Sequence, residues 1–334
     1  RRSVRQKRLC FTSALMTVAI ISVLVLSQGS IVSGSTSAAE TDQALLLAAK
    51  TGDFETVKAL LASDSSANAM EPDGTTALHW AARADAVDVV DILLRSGASP
   101  GAANRYGITA LALAAENGNV EIIRSLLNFG ANPNTSTSSG ETVLMVAART
   151  GRVEVLDELF AKGALVDQTE HWRGQTALMW AAADNHADAV ERLVAAGANV
   201  EARSSRGITP LMFAVREGQI ASTKALVGAG ADINAGINNN TASAGAYTPA
   251  SNGYTSPLAL AIINSHFELG QMLLEAGADP NIPDERGSLL HALSWVRRPG
   301  SGRPPIPTGT VDSLELAEAL LERGADPNRQ IVWE

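Results

Sequence analysis

One phrase returns along this chain at an almost constant interval, and that return constrains the fold more than anything else in the sequence. The segments TALHWAA, TALALAA, TVLMVAA, TALMWAA and TPLMFAV carry their leucine at Leu78, Leu111, Leu144, Leu178 and Leu211, at spacings of 33, 33, 34 and 33 residues. Leu45 in ALLLAAKTG precedes Leu78 by 33, Leu258 in SPLALAI follows Leu211 by 47, and Leu290 in SLLHAL follows by 32. A second phrase keeps step with the first: GASP, GANP, GALV, GANV and GADI start at Gly97, Gly130, Gly163, Gly197 and Gly230, and GADP at Gly277 and Gly324. Self-similarity at such a period marks a stack of small supersecondary units, each touching only its neighbours. Length alone would suggest two globular domains; the repeat overrides it.

Within each unit the residues read consistently. Thr76, Thr109, Thr142, Thr176 and Thr209 stand where a helix begins, and a Thr hydroxyl there accepts from free backbone N–H groups. The next residues set Leu and Ala on one face at helical spacing. A turn such as Asn117-Gly118, Thr150-Gly151 or Glu217-Gly218 follows, where Gly takes positive φ cheaply. A second amphipathic helix comes next (VEIIRSLLNFG, VEVLDELFAKG, ADAVERLVAAG) and stops at its Gly. About ten Asn-, Asp-, Ser- and Gly-rich residues then lead to the next Thr, the number being read from the repeat itself. The chain is 46% apolar but only 4% aromatic, which suits helices packed closely through small residues. One unit cannot bury its apolar face alone, so the expected fold class is an all-α repeat solenoid.

The period and the T-P-L-H-x-A-like signature resemble the ankyrin repeat over roughly residues 41–330. Departures are local: the signature Pro survives at Pro210 and Pro257, and the His at His79 and His291. The resemblance implies eight helix-turn-helix repeats with finger loops over 40–330, interrupted by insertions at 236–250 and 298–311. The first lengthens a finger; the second, with Pro304, Pro305 and Pro307, separates the two helices of the eighth repeat. Residues 331–334 read as the start of a further repeat or a truncated end. The resemblance implies a scaffold that holds another protein along its fingers and first helices. The alternative is an accessory region of a larger exported enzyme or electron-transfer protein, of which this chain is a fragment.

Residues 1–39 differ from the rest. Residues 1–8 (RRSVRQKR) are basic, Leu9 to Leu26 is mostly apolar, and small residues follow. That order reads as a signal peptide, with Ser37 and Ala39 suited to cleavage before Glu40. The apolar run 9–26 is also long enough for a retained anchor. Both readings export the body, to the periplasm or beyond, or anchor it at the inner membrane. Arg over Lys at 21 to 5 points to a GC-rich, bacterial coding sequence.

The body holds 21 bases against 35 acids, a net of −14. That balance argues against nucleic acid and points to a protein partner with a basic patch. Cys10, the one cysteine, lies in the N-terminal segment, so the body has no disulfide or thiolate metal site. No phosphate-loop, dinucleotide, zincin or nucleophile-elbow motif is present. No catalytic, cofactor-binding or metal site is therefore expected, and the chain is read as no enzyme. His79, His186, His266 and His291 recur at repeat positions and are expected to be structural, and Trp80 and Trp180 to be core. Glu121, Glu154, Glu191 and Glu268 are read as a solvated face. The partner-binding candidates are Tyr106, His171, Trp172, Arg173 and Tyr247. They sit at finger tips or in the long insertion, where packing does not demand an aromatic.

Overall fold

The structure is a computed structural model that describes residues 38–63, 65–238, 254–282, 287–296 and 309–329. The chain divides into two compact units, residues 1–41 and 42–334. The signal or anchor reading of residues 1–37, including the apolar run 9–26, lies outside the described residues, as do residues 331–334. No helix among the described residues is long and apolar enough to cross a membrane.

Sixteen helices fall in eight pairs among the described residues. The first four pairs are α1 (Ala38–Thr51) with α2 (Phe54–Ala62), α3 (Ala77–Arg83) with α4 (Val87–Arg95), α5 (Ala110–Asn117) with α6 (Val120–Asn128), and α7 (Val143–Thr150) with α8 (Val153–Ala161). Next come α9 (Ala177–Ala183) with α10 (Ala187–Ala195), and α11 (Pro210–Arg216) with α12 (Ile220–Gly228). The last are α13 (Pro257–Ile263) with α14 (Phe267–Glu275), and α15 (Leu289–Val296) with α16 (Ser313–Glu322). First helices of pairs two to eight stack in order. Second helices stack in order through pair six, and again between pairs seven and eight. The fold is an all-α repeat solenoid whose described strands are two short segments, β1 (Ile237–Asn238) and β2 (Tyr254–Thr255). They pair antiparallel and form the stem of the long insertion.

The core is a ladder built by the period. Leu78, Leu111, Leu144, Leu178, Leu211 and Leu258 are all buried on the first helices, and Leu93, Leu126, Leu159, Leu193, Leu226 and Leu273 on the second. Each buried Leu contributes roughly 2 kcal/mol of apolar transfer free energy. The paired alanines between them, such as Ala81 and Ala82, let successive helices approach. The expected caps form: the hydroxyls of Thr109, Thr142, Thr176 and Thr209 accept from the backbone N–H three residues on, at 3.2–3.4 Å. Where the inter-helix turn lacks Gly, Asp85, Asn185 and Ser265 take positive φ instead.

Several turns are also latched to the preceding repeat. A first helix of two turns leaves its last carbonyls without intrahelical donors. His186 Nε2 donates to Arg149 C=O (2.9 Å), Gln219 Nε2 to Ala183 C=O (2.9 Å) and His266 Nε2 to Arg216 C=O (3.0 Å). The structural role expected of His186 and His266 is this one. Glu121, Glu154 and Glu191 are exposed as expected, although the counterpart of Glu121 in α10 is Asp188. Glu268 departs from the reading: its carboxylate is half-buried and accepts from Thr310 N–H.

His79 is buried and bonded at both ring nitrogens. Nδ1 accepts from Thr76 N–H (3.1 Å), which leaves the proton on Nε2 to reach Ile108 C=O of the next repeat (2.9 Å). Burial pushes its pKa below the usual histidine value of 6.5; the Ile108 carbonyl and the nearby Asp73 carboxylate oppose that shift. The unfolded chain therefore binds more protons here than the folded one. The stability contributed by neutral His79 is complete above 6.5 and is lost as pH falls below that value towards the folded pKa. Thermal melts at falling pH should show declining stability through that window, less steeply in His79→Gln. An identical pH profile in the variant would refute the assignment.

At the last repeat, Leu316 and Leu320 are fully buried while Leu314 and Leu321 are about half exposed. All four lie on α16, whose two faces they divide.

Candidate interaction face

Between a second helix and the next first helix the chain makes a finger. Its tip is a tight turn whose backbone is held by a side chain at its base. Asp73 accepts from Thr75 N–H; Asn104 Oδ1 accepts from the N–H groups of Tyr106 and Ile108; Ser204 Oγ accepts from Ile208 N–H. The Thr75 N–H bond holds the Asp73 carboxyl below the usual carboxylate range.

Successive tips are joined by backbone bonds. Arg105 N–H donates to Asp73 C=O (2.9 Å), Ser138 N–H to Tyr106 C=O (3.1 Å), His171 N–H to Ser139 C=O (2.9 Å) and Ser205 N–H to Arg173 C=O (2.7 Å). The approach is close: a Cβ on Gly107 would meet the Thr137–Ser138 backbone at 3.0 Å, and one on Gly140 would meet the His171 ring at 2.7 Å. The tips thus form one row. The β1–β2 stem continues it, since Arg203 Nη1 donates to Gly236 C=O (3.2 Å).

The structure places the candidates along this row. Tyr106 is 53% exposed on the third tip, with the Arg105 guanidinium 5.2 Å from its ring centre. His171, Trp172 and Arg173 share the fifth tip, where the extra residue of the 34-residue spacing is absorbed. Trp172 is 84% exposed; His171 is exposed too, but its ring leans on Gly140 of the fourth tip. The fourth tip separates Tyr106 from the His171–Arg173 group. Tyr247 lies outside the described residues.

Sequence reasoning missed Glu170. It is buried, and its carboxylate accepts from the N–H groups of Trp172 (2.5 Å), Arg173 (2.7 Å) and Gln175 (3.1 Å). An acceptor with two oxygens is what a turn one residue longer needs, and the Glu preceding HWRG was the available signal.

Trp80 and Trp180 pack against the core as expected, but each keeps part of its ring exposed. Both are half-buried on the groove side of the first helices, and a cation from the preceding repeat lies over each ring: Lys50 at 4.1 Å from Trp80 and Arg149 at 5.3 Å from Trp180. Trp80 Nε1 donates to Glu71 (3.1 Å). A long cationic side chain of the preceding repeat thus covers the part of each ring that the core leaves open. On the same side, between the third and fourth fingers, lies a cleft of about 220 Å³. Ile108, Leu113 and Val146 give it an apolar floor; Glu116, Glu141 and Arg149 rim it.

Charge is sorted by face. The eight second helices carry fourteen acids and five bases. The first helices from α3 to α15 carry Arg83, Arg149 and Arg216 against Glu116 alone. The net −14 of the body, from which a basic partner was expected, is thus mostly the charge of the outer helices. Among the described residues no three His, Cys, Asp or Glu side chains group as a metal site.

Residues 17–104, 92–170 and 163–237 match the family model of ankyrin repeats in three copies, and residues 254–285 match that of the single ankyrin repeat. No curated protein matches the chain.

Proposed function

Because the chain belongs to the ankyrin-repeat family, whose arrays are in general protein-interaction modules and not enzymes, we propose that it holds one partner protein on the finger row of repeats three to six, outside the cytoplasm. The observation that carries this reading is Trp172, a tryptophan 84% exposed on a turn held by a buried carboxylate. A large apolar side chain costs solubility when bare, and a rigid base lowers the ordering cost of using it as an anchor. Export rests on the order of a basic, an apolar and a small-residue stretch over residues 1–39.

One experiment tests both parts. A photo-crosslinking amino acid replaces Trp172 in the full chain, in cells that make it. It should trap one protein reproducibly, in the fraction outside the cytoplasm, and Glu154 on the outer helix α8, so replaced, should not. Purified Trp172→Ala should bind the trapped protein about 1–2 kcal/mol more weakly without moving the melting temperature. Trapping from position 154 and not from 172 would refute the face; trapping of cytoplasmic proteins alone would refute export.

A further inference from the structure

Resting on that reading of the finger row, we infer that the segment it takes is an extended acidic stretch of polypeptide carrying one apolar side chain. The third to sixth tips, residues 105–107, 138–140, 171–174 and 205–207, hold Arg105, Arg173 and Arg206 and no acid. All three are exposed. The acids at the finger bases are already engaged by the fold: Glu170 accepts three backbone N–H groups, and Glu71 accepts from Trp80. Arg149 and Arg216 on the first helices are each paired with one acid, Glu141 and Glu217, so the positive charge of this face is that of the tips. The occupant of this face is set by local charge, and the face is opposite in sign to the outer helices.

The occupant's shape follows from the row. Neighbouring helices pack about 8–10 Å apart, so the third to sixth tips span roughly 24–30 Å. An extended chain covers that in about seven to nine residues at about 3.3 Å each. Guanidinium groups grip carboxylates through two parallel N–H···O bonds, which suits Glu or Asp spaced along such a strand. The 220 Å³ cleft over Ile108, Leu113 and Val146 lies inside the span and takes one apolar side chain, with Arg149 at its rim. A nucleic acid fits less well. Three arginines spread over four tips are fewer than the clustered Lys/Arg stripe by which a phosphate backbone is held.

The test uses the full chain and three fluorescent probes of equal length, about twelve units to cover the row: a Glu-rich peptide with one central Leu, its Lys-rich counterpart, and single-stranded DNA. The Glu-rich peptide should bind best, and more weakly as salt rises. Reversing Arg105, Arg173 and Arg206 to Glu should weaken it by roughly tenfold or more, and Arg124→Glu on the outer helix α6 should not. Should the triple reversal misfold by circular dichroism, the same arginines changed to Gln give the reading instead. Preference for the Lys-rich peptide or for DNA overturns the inference. So does failure of the Glu-rich peptide to bind. If position 172 still traps a protein in that case, the acidic class falls and the interaction face stands; if it traps none, both fall.

Discussion

Leu156→Ala is expected to destabilise the array by about 2–5 kcal/mol. Leu156 is 0% exposed in α8, in the fourth of eight pairs, with second helices stacked on both sides. Removing its branched end takes away transfer free energy and leaves a cavity that two neighbouring repeats share. In a stack where each unit contacts only its neighbours, weakening a middle unit uncouples the two halves. Urea melts should therefore show a lower midpoint, and the transition should broaden or split. A loss under about 1 kcal/mol would show that the site collapses around the smaller side chain. Trp180→Ala removes more atoms but should cost less than the 3–5 kcal/mol of a core tryptophan, because its ring, between the core and the Arg149 guanidinium, is only half-buried.

The contrast between Leu156 and Trp180 shows where sequence stops being legible. The period put the buried leucines, the capping threonines and the turn glycines in place, because each is fixed by local geometry that recurs about every 33 residues. It could not say which flank of a two-turn helix faces the groove, since Leu113, Val146 and Trp180 share one repeat position and differ in exposure. That depends on what the preceding repeat lays over the position. The candidates Tyr106, His171, Trp172 and Arg173 were legible as tip residues from the tip Gly and the one-residue excess. Glu170 was signalled only by its place before HWRG, since its role exists only once the longer turn has folded back on it. The charge of the face was the largest gap between composition and structure. A net charge sums over both sides of the stack, and the arginines and acids are sorted between those sides by the helical period.

The same sorting bears on how rigidly the row is held. Tips are joined by backbone bonds on one edge and turns by side-chain latches on the other, so the fifth repeat is tied twice to the fourth and twice to the sixth. An anchor such as Trp172 then rests on a base that has little left to order when a partner arrives. Loss of a latch should loosen the row without touching it, which makes the latches separable from the binding face.

Gly151→Ala should cost about 1.5–3.5 kcal/mol, combining roughly 1–2 for a Cβ in the left-handed region with about 0.5–1.5 for a lost hydrogen bond. Gly151 has φ +69°, and a Cβ there would collide with the His186 imidazole. That ring could clear the methyl only by leaving Arg149 C=O, to which its Nε2 donates at 2.9 Å. Gly52 supplies the control within the same chain. It has φ +70°, but its neighbour is the small Ala86 side chain at 3.4 Å, so Gly52→Ala should show the backbone strain alone. A double-mutant cycle closes the argument. In a His186→Ala background, Gly151→Ala should cost only about as much as Gly52→Ala, giving a coupling of about 1 kcal/mol between residues 151 and 186. If the two substitutions instead add without coupling, the imidazole is not the group that Gly151 makes room for, and the latch between the fourth and fifth repeats is not built as described.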